Sequence, residues 1–378
     1  MPPEAAKHRT VHKIHILGND ESSKYIAHAL SGVYDSVEHI GDKAATSSKY
    51  RNIQTPNFEE RGRAYFVERS SVEPQTVAQA DRSRIDELVV TGEAHEAVRA
   101  LQSVKNRVDD KTTVCLMTAG LGVLDDVKRK IFEGSQEKPN FVLGHMSHRL
   151  VFHRKHNSVK ALKNGDTRLT RPDLSSWDGS RGHEATEPPE SPPNLVKSWQ
   201  DAKDLRSSMT TYDRWLHFKL PSVLFDSVVE PVCVLLDTPY KGLLNNRAAQ
   251  RVMYNLITEI LSVVDRMPEV ANSEVIRNFT HGTGVRRFLF TRILAKRSQP
   301  SRLNRLIEYG LPNDIEYLNG YFLRRAKKLG LEVPVNRMIR DMVKAKQAQA
   351  IKKLNSHVPI EETSIPSHMA DLYRTSAR

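Results

Sequence analysis

The stretch His15–Leu30, HILGNDESSKYIAHAL, reads as a short apolar strand, a glycine turn and a helix, the unit that opens a dinucleotide-binding sheet. Such a turn calls for three glycines, but here Gly18 is followed by Asn19, Asp20 and Ser23. The second glycine normally lets the backbone approach a pyrophosphate held at the helix N-terminus. Asp20 in its place opposes a phosphate by roughly 4 kcal/mol at 4 Å and an effective dielectric of 20, about three decades of affinity. Glu21 adds to the same field. Asp20 and Ser22 are also good N-cap residues, able to satisfy the free amides of the helix without a ligand. The stretch therefore predicts a nucleotide-type fold whose nucleotide turn is degenerate.

Outward from this unit, strand-type runs alternate with helical ones as far as Leu162. IDELVVTG, TTVCLMTAG and NFVLGHM read as strands, with RAYFVE as a further candidate, and EAHEAVRALQSVKNRV carries Ala94, Ala97, Val98 and Leu101 at helical spacing. Strands alternating with helices predict a doubly wound parallel sheet, an α/β Rossmann-like domain over 1–162. Residues 163–198 are rich in Pro, Gly, Ser and charge and read as a disordered insertion or linker. Beyond it NRAAQRVMYNLITEILSVVDRM carries a broad apolar face, and later segments continue that pattern. An all-helical domain is expected over 199–355, followed by a flexible tail, 356–378.

The 378 residues suffice for two domains. No run of about eighteen apolar residues could span a bilayer, so no membrane partner is expected. Cys115 and Cys233 lie in apolar segments and read as reduced core thiols, pointing to an intracellular compartment. The basic N-terminus has no apolar h-region and is compatible with a mitochondrial address, the cytoplasm being the alternative. The net charge of +12 suggests a polyanionic partner. From Ile276 to Ile307 the chain carries eight Arg or Lys and no Asp or Glu. Arg286, Arg287, Arg292, Lys296 and Arg297 are its candidate polyanion-binding residues, with Phe279, Phe288 and Phe290 interleaved as either core residues or stacking platforms for bases. His145, His148, His153 and His156 cluster in GHMSHRLVFHRKHN, but strand alternation separates the first two and no cysteine or carboxylate group completes a site, so no metal is expected.

Three stretches in order resemble the ketopantoate reductase family: HILGNDESSKYIAHAL, VCLMTAGLGVLDDV and PNDIEYLNGYFLRRAKKLGLEVPVNRMIRDMVKAKQ, with a weaker fourth match in FDSVVEPVCVLLDTPYKGLL. The resemblance implies a C-terminal domain of the 6-phosphogluconate dehydrogenase type and NADPH as cofactor. It also implies a lysine general acid, at the position held here by Ser222, one helical turn before an Asn whose position holds Asp226. A serine supplies no ammonium for a developing alkoxide, leaving Lys219, three residues earlier, as the only displaced candidate. The Asn of the second motif is replaced by Ala119, whereas Ser301 and Asp314 match the substrate-contacting Ser and carboxylate. Asp314 reads equally well as a helix cap. The sequence thus predicts a diverged, non-catalytic family member that holds no cofactor and binds RNA or a ribonucleoprotein. The alternative is an active NADPH-dependent 2-oxoacid reductase using Lys219.

Overall fold

The computed structural model describes residues 12–40, 47–49, 65–67, 83–135, 137–153, 158–172 and 194–356. The opening stretch forms β1 (Lys13–Leu17) and α1 (Glu21–Leu30), followed by β2 (Ser36–Ile40), β3 (Ser47–Lys49) and β4 (Tyr65–Val67). Next come β5 (Glu87–Gly92), α2 (Ala94–Ser103), β6 (Thr113–Thr118), α3 (Val123–Lys130) and β7 (Asn140–Met146). Five strands run parallel in the order β7-β6-β5-β1-β2, with β3 antiparallel at one edge. The order reverses between β1 and β5, and a crevice at such a switch point is where doubly wound sheets bind ligands.

Strand alternation divides the core. Ile14, Ile16, Val89, Cys115 and Val142 face α1, whereas Leu88, Val90, Val114, Leu116 and Leu143 face α2, α3 and the helical domain. Because that second cluster runs unbroken into Trp215, Leu216, Leu220 and Val223, the two domains share one apolar core.

The expected boundary at 162 moves. The chain continues as β8 (Arg149–His153) and β9 (Ser158–Lys163), which pair with β4 in a second antiparallel sheet. Then β10 (Thr167–Thr170) adds antiparallel to β7, and β11 (Ser207–Met209) adds to β10. β10 and the start of α4 (Asn194–Asp201) fall in the stretch expected to be a linker, yet Leu169, Leu195 and Val196 are fully buried in the first domain, as is Trp199, which was expected in the helical domain. A four-residue strand with one apolar side chain has no period to detect, and the proline-rich 173–193 beside α4 dominated the composition. That segment and the N-terminal residues 1–11 lie outside the described residues, as does the expected tail, 356–378, apart from Ser356, which ends the last helix.

The helical domain opens with α5 (Tyr212–Leu224), which passes through a π-helical turn, Phe225–Val229, into α6 (Glu230–Leu236). Next in sequence come α7 (Tyr240–Leu244), α8 (Arg247–Asp265), α9 (Glu274–His281) and α10 (Gly284–Ala295). The last three are α11 (Arg302–Glu308), α12 (Asn319–Lys328) and α13 (Pro334–Ser356). On α8 the buried Met253, Leu256, Ile257, Ile260, Val263 and Val264 form the broad face expected from their spacing. Among the described residues no helix is long and apolar enough to cross a membrane.

Candidate functional site

The C-terminal ends of β1, β5 and β6 meet at the switch point. Gly18 has φ +144°, and a Cβ there would sit 2.2 Å from the Thr91 Oγ1, so this first glycine is demanded by the fold itself. Thr91 Oγ1 donates to Asp20 Oδ1 at 2.5 Å, and the Ser23 amide donates to the same oxygen at 3.1 Å. Asp20 therefore caps α1, its carboxylate lying where a pyrophosphate would be held. Ser23, fully buried at the third glycine position, donates its hydroxyl to the Asp20 carbonyl at 2.7 Å. Asn19 is exposed. Ala119, whose amide donates to the Gly92 carbonyl at 3.2 Å, completes this edge.

The space beside Ala119 is closed by the helical domain. Leu121 N–H donates to the Tyr317 carbonyl at 2.8 Å, and at Gly120 (φ +68°) a Cβ would lie 2.7 Å from that same oxygen. What remains is a cavity of ≈ 30 Å³ lined by Thr118, Gly120, Leu143, Tyr212, Trp215 and Lys219 among others, room for about one or two waters.

Lys219 enters this cavity from α5. Seven residues, two helical turns, separate it from Asp226, so both lie on one helix face, and its distance from the position of Ser222 does not turn it away from the crevice. The side chain is 4 % exposed. Its Nζ donates to the Thr118 carbonyl at 2.9 Å and stands 5.1 Å from the Trp215 ring. Burial lowers its pKa to about 7, partly offset by the Asp314 carboxylate. His145 on β7 is lowered to about 3 by burial and by the cations Lys219 and Arg292, which keeps it neutral. Neither the Thr118 carbonyl nor Trp215 was legible as a partner, because strand and helix meet only through the domain packing.

Asp314 is 5 % exposed and caps a helix, but not its own. Its carboxylate accepts from the Ala94 and His95 amides of α2 at 2.7 and 3.0 Å, and His95 Nδ1 lies 2.6 Å away. Arg302 pairs with Glu93 beside it, fastening the two domains together. Ser301 caps α11 through the Asn304 amide and donates its hydroxyl to Glu230 Oε2 at 2.6 Å. The Glu230 carboxylate also accepts from Leu303 N–H at 3.1 Å and from the Tyr240 hydroxyl. Ser301 and Asp314 thus have protein partners of their own. The Asp226 carboxyl is raised to about 7, chiefly by burial.

The five candidate cations do not share a face. At about 100° per residue, Arg286 and Arg287 lie roughly 120–140° around α10 from Arg292, whereas Lys296 is the C-cap of the helix and Arg297 lies in the turn beyond it. Arg292 and Lys296 turn inward to the Phe225 ring, at 4.5 and 4.9 Å. Arg286 stacks 4.2 Å from the Tyr254 ring of α8 on the outer side. That side also exposes Phe290 (40 %) and Leu294 (51 %), while Phe279 packs half-buried against His217, 5.2 Å away. Phe288 is also exposed, so the core reading of the aromatics fails for it and for Phe290. Among the described residues no three His, Cys, Asp or Glu form a metal-binding group; His145 lies on β7, whereas the side chains of His153 and His156 lie outside the described residues.

A doubly wound sheet whose switch-point edge meets an all-helical domain defines a two-domain architecture of the dinucleotide-binding type. Residues 14–173 match the family model described as ketopantoate reductase PanE/ApbA, and residues 214–347 match its C-terminal counterpart. A probable 2-dehydropantoate 2-reductase of Schizosaccharomyces pombe is 20 % identical over 360 residues, covering 91 % of this chain and 98 % of the relative. The crystal structure of a PanE/ApbA family ketopantoate reductase from Ralstonia eutropha superposes with a TM-score of 0.59 at 13 % identity, covering 90 % of this chain and 99 % of that one. A D-mandelate dehydrogenase bound to NADH and anilino(oxo)acetate gives 0.57 at 14 % identity, covering 90 % and 99 %. The chain belongs to the ketopantoate reductase family, and the structural likeness at these identities speaks for the fold.

Proposed function

We propose that this protein is a non-reducing member of its family that binds single-stranded RNA, alone or within a ribonucleoprotein, through the outer face of α10. The observation that carries the reading is the composition of that face: Arg286 and Arg287 flank the exposed Phe290 and Leu294, with Arg286 stacked on Tyr254, inside a 32-residue span, 276–307, without Asp or Glu. Arginines beside exposed rings neutralise phosphates and offer platforms to unstacked bases. The capping role of Asp20 supports the absence of a dinucleotide, since the group that normally meets the α1 N-terminus is replaced by the protein's own carboxylate.

A second reading, reduction of a 2-oxoacid with NADPH, is favoured by one observation. Lys219 is buried at the switch-point edge with its Nζ on the Thr118 carbonyl, and burial lowers its pKa to about 7, suited to a general acid. In that reading NADPH would lie along Gly18, Asn19, Asp20, Ser23 and Ala119 and supply hydride, and Lys219 would hold the proton for the substrate oxygen. The residues present fit this poorly, because Asp20 opposes the pyrophosphate and Tyr317 closes the space beside Ala119.

The test is RNA affinity at several salt concentrations for the unaltered chain and for R286A/R287A. Each phosphate contact contributes about 0.7 to the log–log salt slope for a single strand. The double variant is expected to weaken binding to unrelated sequences alike and to flatten the slope by up to about 1.4. Equal slopes, or no binding near physiological salt, would overturn the proposal.

A further inference from the structure

The inner side of α10 carries a separate arrangement. Arg292 and Lys296, one helical turn apart, approach the same Phe225 ring, and Lys296 Nζ is also 5.7 Å from the Tyr240 ring. Asp226 follows Phe225 on the π-helical turn, a feature that recurs at functional sites. Its carboxyl feels Arg292 and Lys296 from α10, Glu230 from the same helix and Asp314 from the domain junction. Across the crevice, Arg149 on β8 adds its field to Lys296. Asp226, Arg292 and Lys296 are all half-buried, and among the described residues none of the three side chains forms a hydrogen bond or ion pair. Folded proteins seldom leave sheltered cations with ring faces but no hydrogen-bond acceptor.

The partner that satisfies all three must offer acceptors to both cations and a further atom to the carboxyl. A simple carboxylate has two oxygens, which the two cations would use up. A phosphate monoester has three terminal oxygens and a charge of −1.5 to −2. We propose that Arg292, Lys296 and Asp226 form a phosphate-monoester site in the crevice: one oxygen accepts from the Arg292 guanidinium, a second from the Lys296 ammonium, and the third meets the Asp226 carboxyl. Asp226 follows directly on Phe225 in the π-helical turn, and the Phe225 ring is within reach of both cations. The site is independent of the outer face of α10 and of the RNA reading that rests on it.

Calorimetric titration of the full chain with inorganic phosphate at pH 6.5 and constant ionic strength is expected to show saturable binding in the millimolar range or tighter. R292A and K296A should each weaken it about tenfold or more, the loss of one charge-assisted hydrogen bond, whereas R286A/R287A should leave it unchanged. Asp226→Asn keeps a donor and cannot ionise, so it should match the unaltered protein at pH 6.5 and bind several-fold more tightly at pH 8.5. Propyl phosphate binding as well as inorganic phosphate would place a small phosphorylated molecule in the site. A gain for a 5′-phosphorylated oligonucleotide over its 5′-hydroxyl form, lost in R292A, would place a nucleic-acid end there. No saturable phosphate binding, unchanged affinity in R292A and K296A, or equal affinity for propionate would overturn the assignment.

Discussion

Replacing Lys219 by Met separates the cost of burying its charge from the rest of the fold. The native pKa is about 7 against a reference of 10.5, so between those values the unfolded chain holds more protons than the native one and stability rises with pH. At 1.36 kcal/mol per unit, going from pH 7 to pH 9.5 relieves about 3 kcal/mol of that penalty, an order-of-magnitude figure for a group only 4 % exposed. Methionine fills a similar space against Trp215 and carries no proton. Lys219→Met is therefore expected to be more stable than the unaltered chain at pH 6.5 by a few kcal/mol, less the hydrogen bond lost at the Thr118 carbonyl. Most of that advantage should be gone by pH 9.5. Urea unfolding of both proteins at half-unit steps from pH 6 to 10 reads the difference directly. Parallel stability curves would mean that the ammonium is hydrated in the native state, and the reasoning from its burial would be wrong.

NADPH titration followed by fluorescence is expected to show no binding at micromolar concentration; tight binding would refute the obstruction assigned to Asp20. Gly18→Ala should cost more than about 1 kcal/mol, since it demands both φ +144° and a contact of 2.2 Å with Thr91, and a neutral result in thermal unfolding would contradict that packing. Asp314→Ala strips α2 of its two-amide cap and should lower stability by about 1–2 kcal/mol. It should also speed hydrogen exchange at Ala94 and His95; unchanged exchange there would exclude the clasp. Trp199→Ala should cost about 3–5 kcal/mol, because the ring is fully buried in the core of the first domain. A near-neutral effect would contradict the packing of α4 into the first domain.

The hydrophobic pattern by itself determined β1, α1, β5, α2, β6 and β7, because runs such as ELVVTG and TVCLMT are apolar on both faces and bounded by turn residues. It determined Asp20 as the cap of α1 as well, since its bond to the Ser23 amide is local, while Ser22, the other cap candidate, lies inside the helix. The helical domain was equally legible from the stripe on α8. Short strands were not, as Thr167–Thr170 and Ser207–Met209 are held by ladder hydrogen bonds to distant partners rather than by any period of their own. Only the tertiary structure could show that Asp314 caps α2, 220 residues away, or that Ser301 belongs to Glu230. It alone divided the acid-free span, sending Arg292 and Lys296 to Phe225 and leaving Arg286 outside on Tyr254. A charge run read in sequence carries sign and spacing, but the direction each charge faces is set by which side of α10 the core takes, here that of Val285, Leu289 and Ile293.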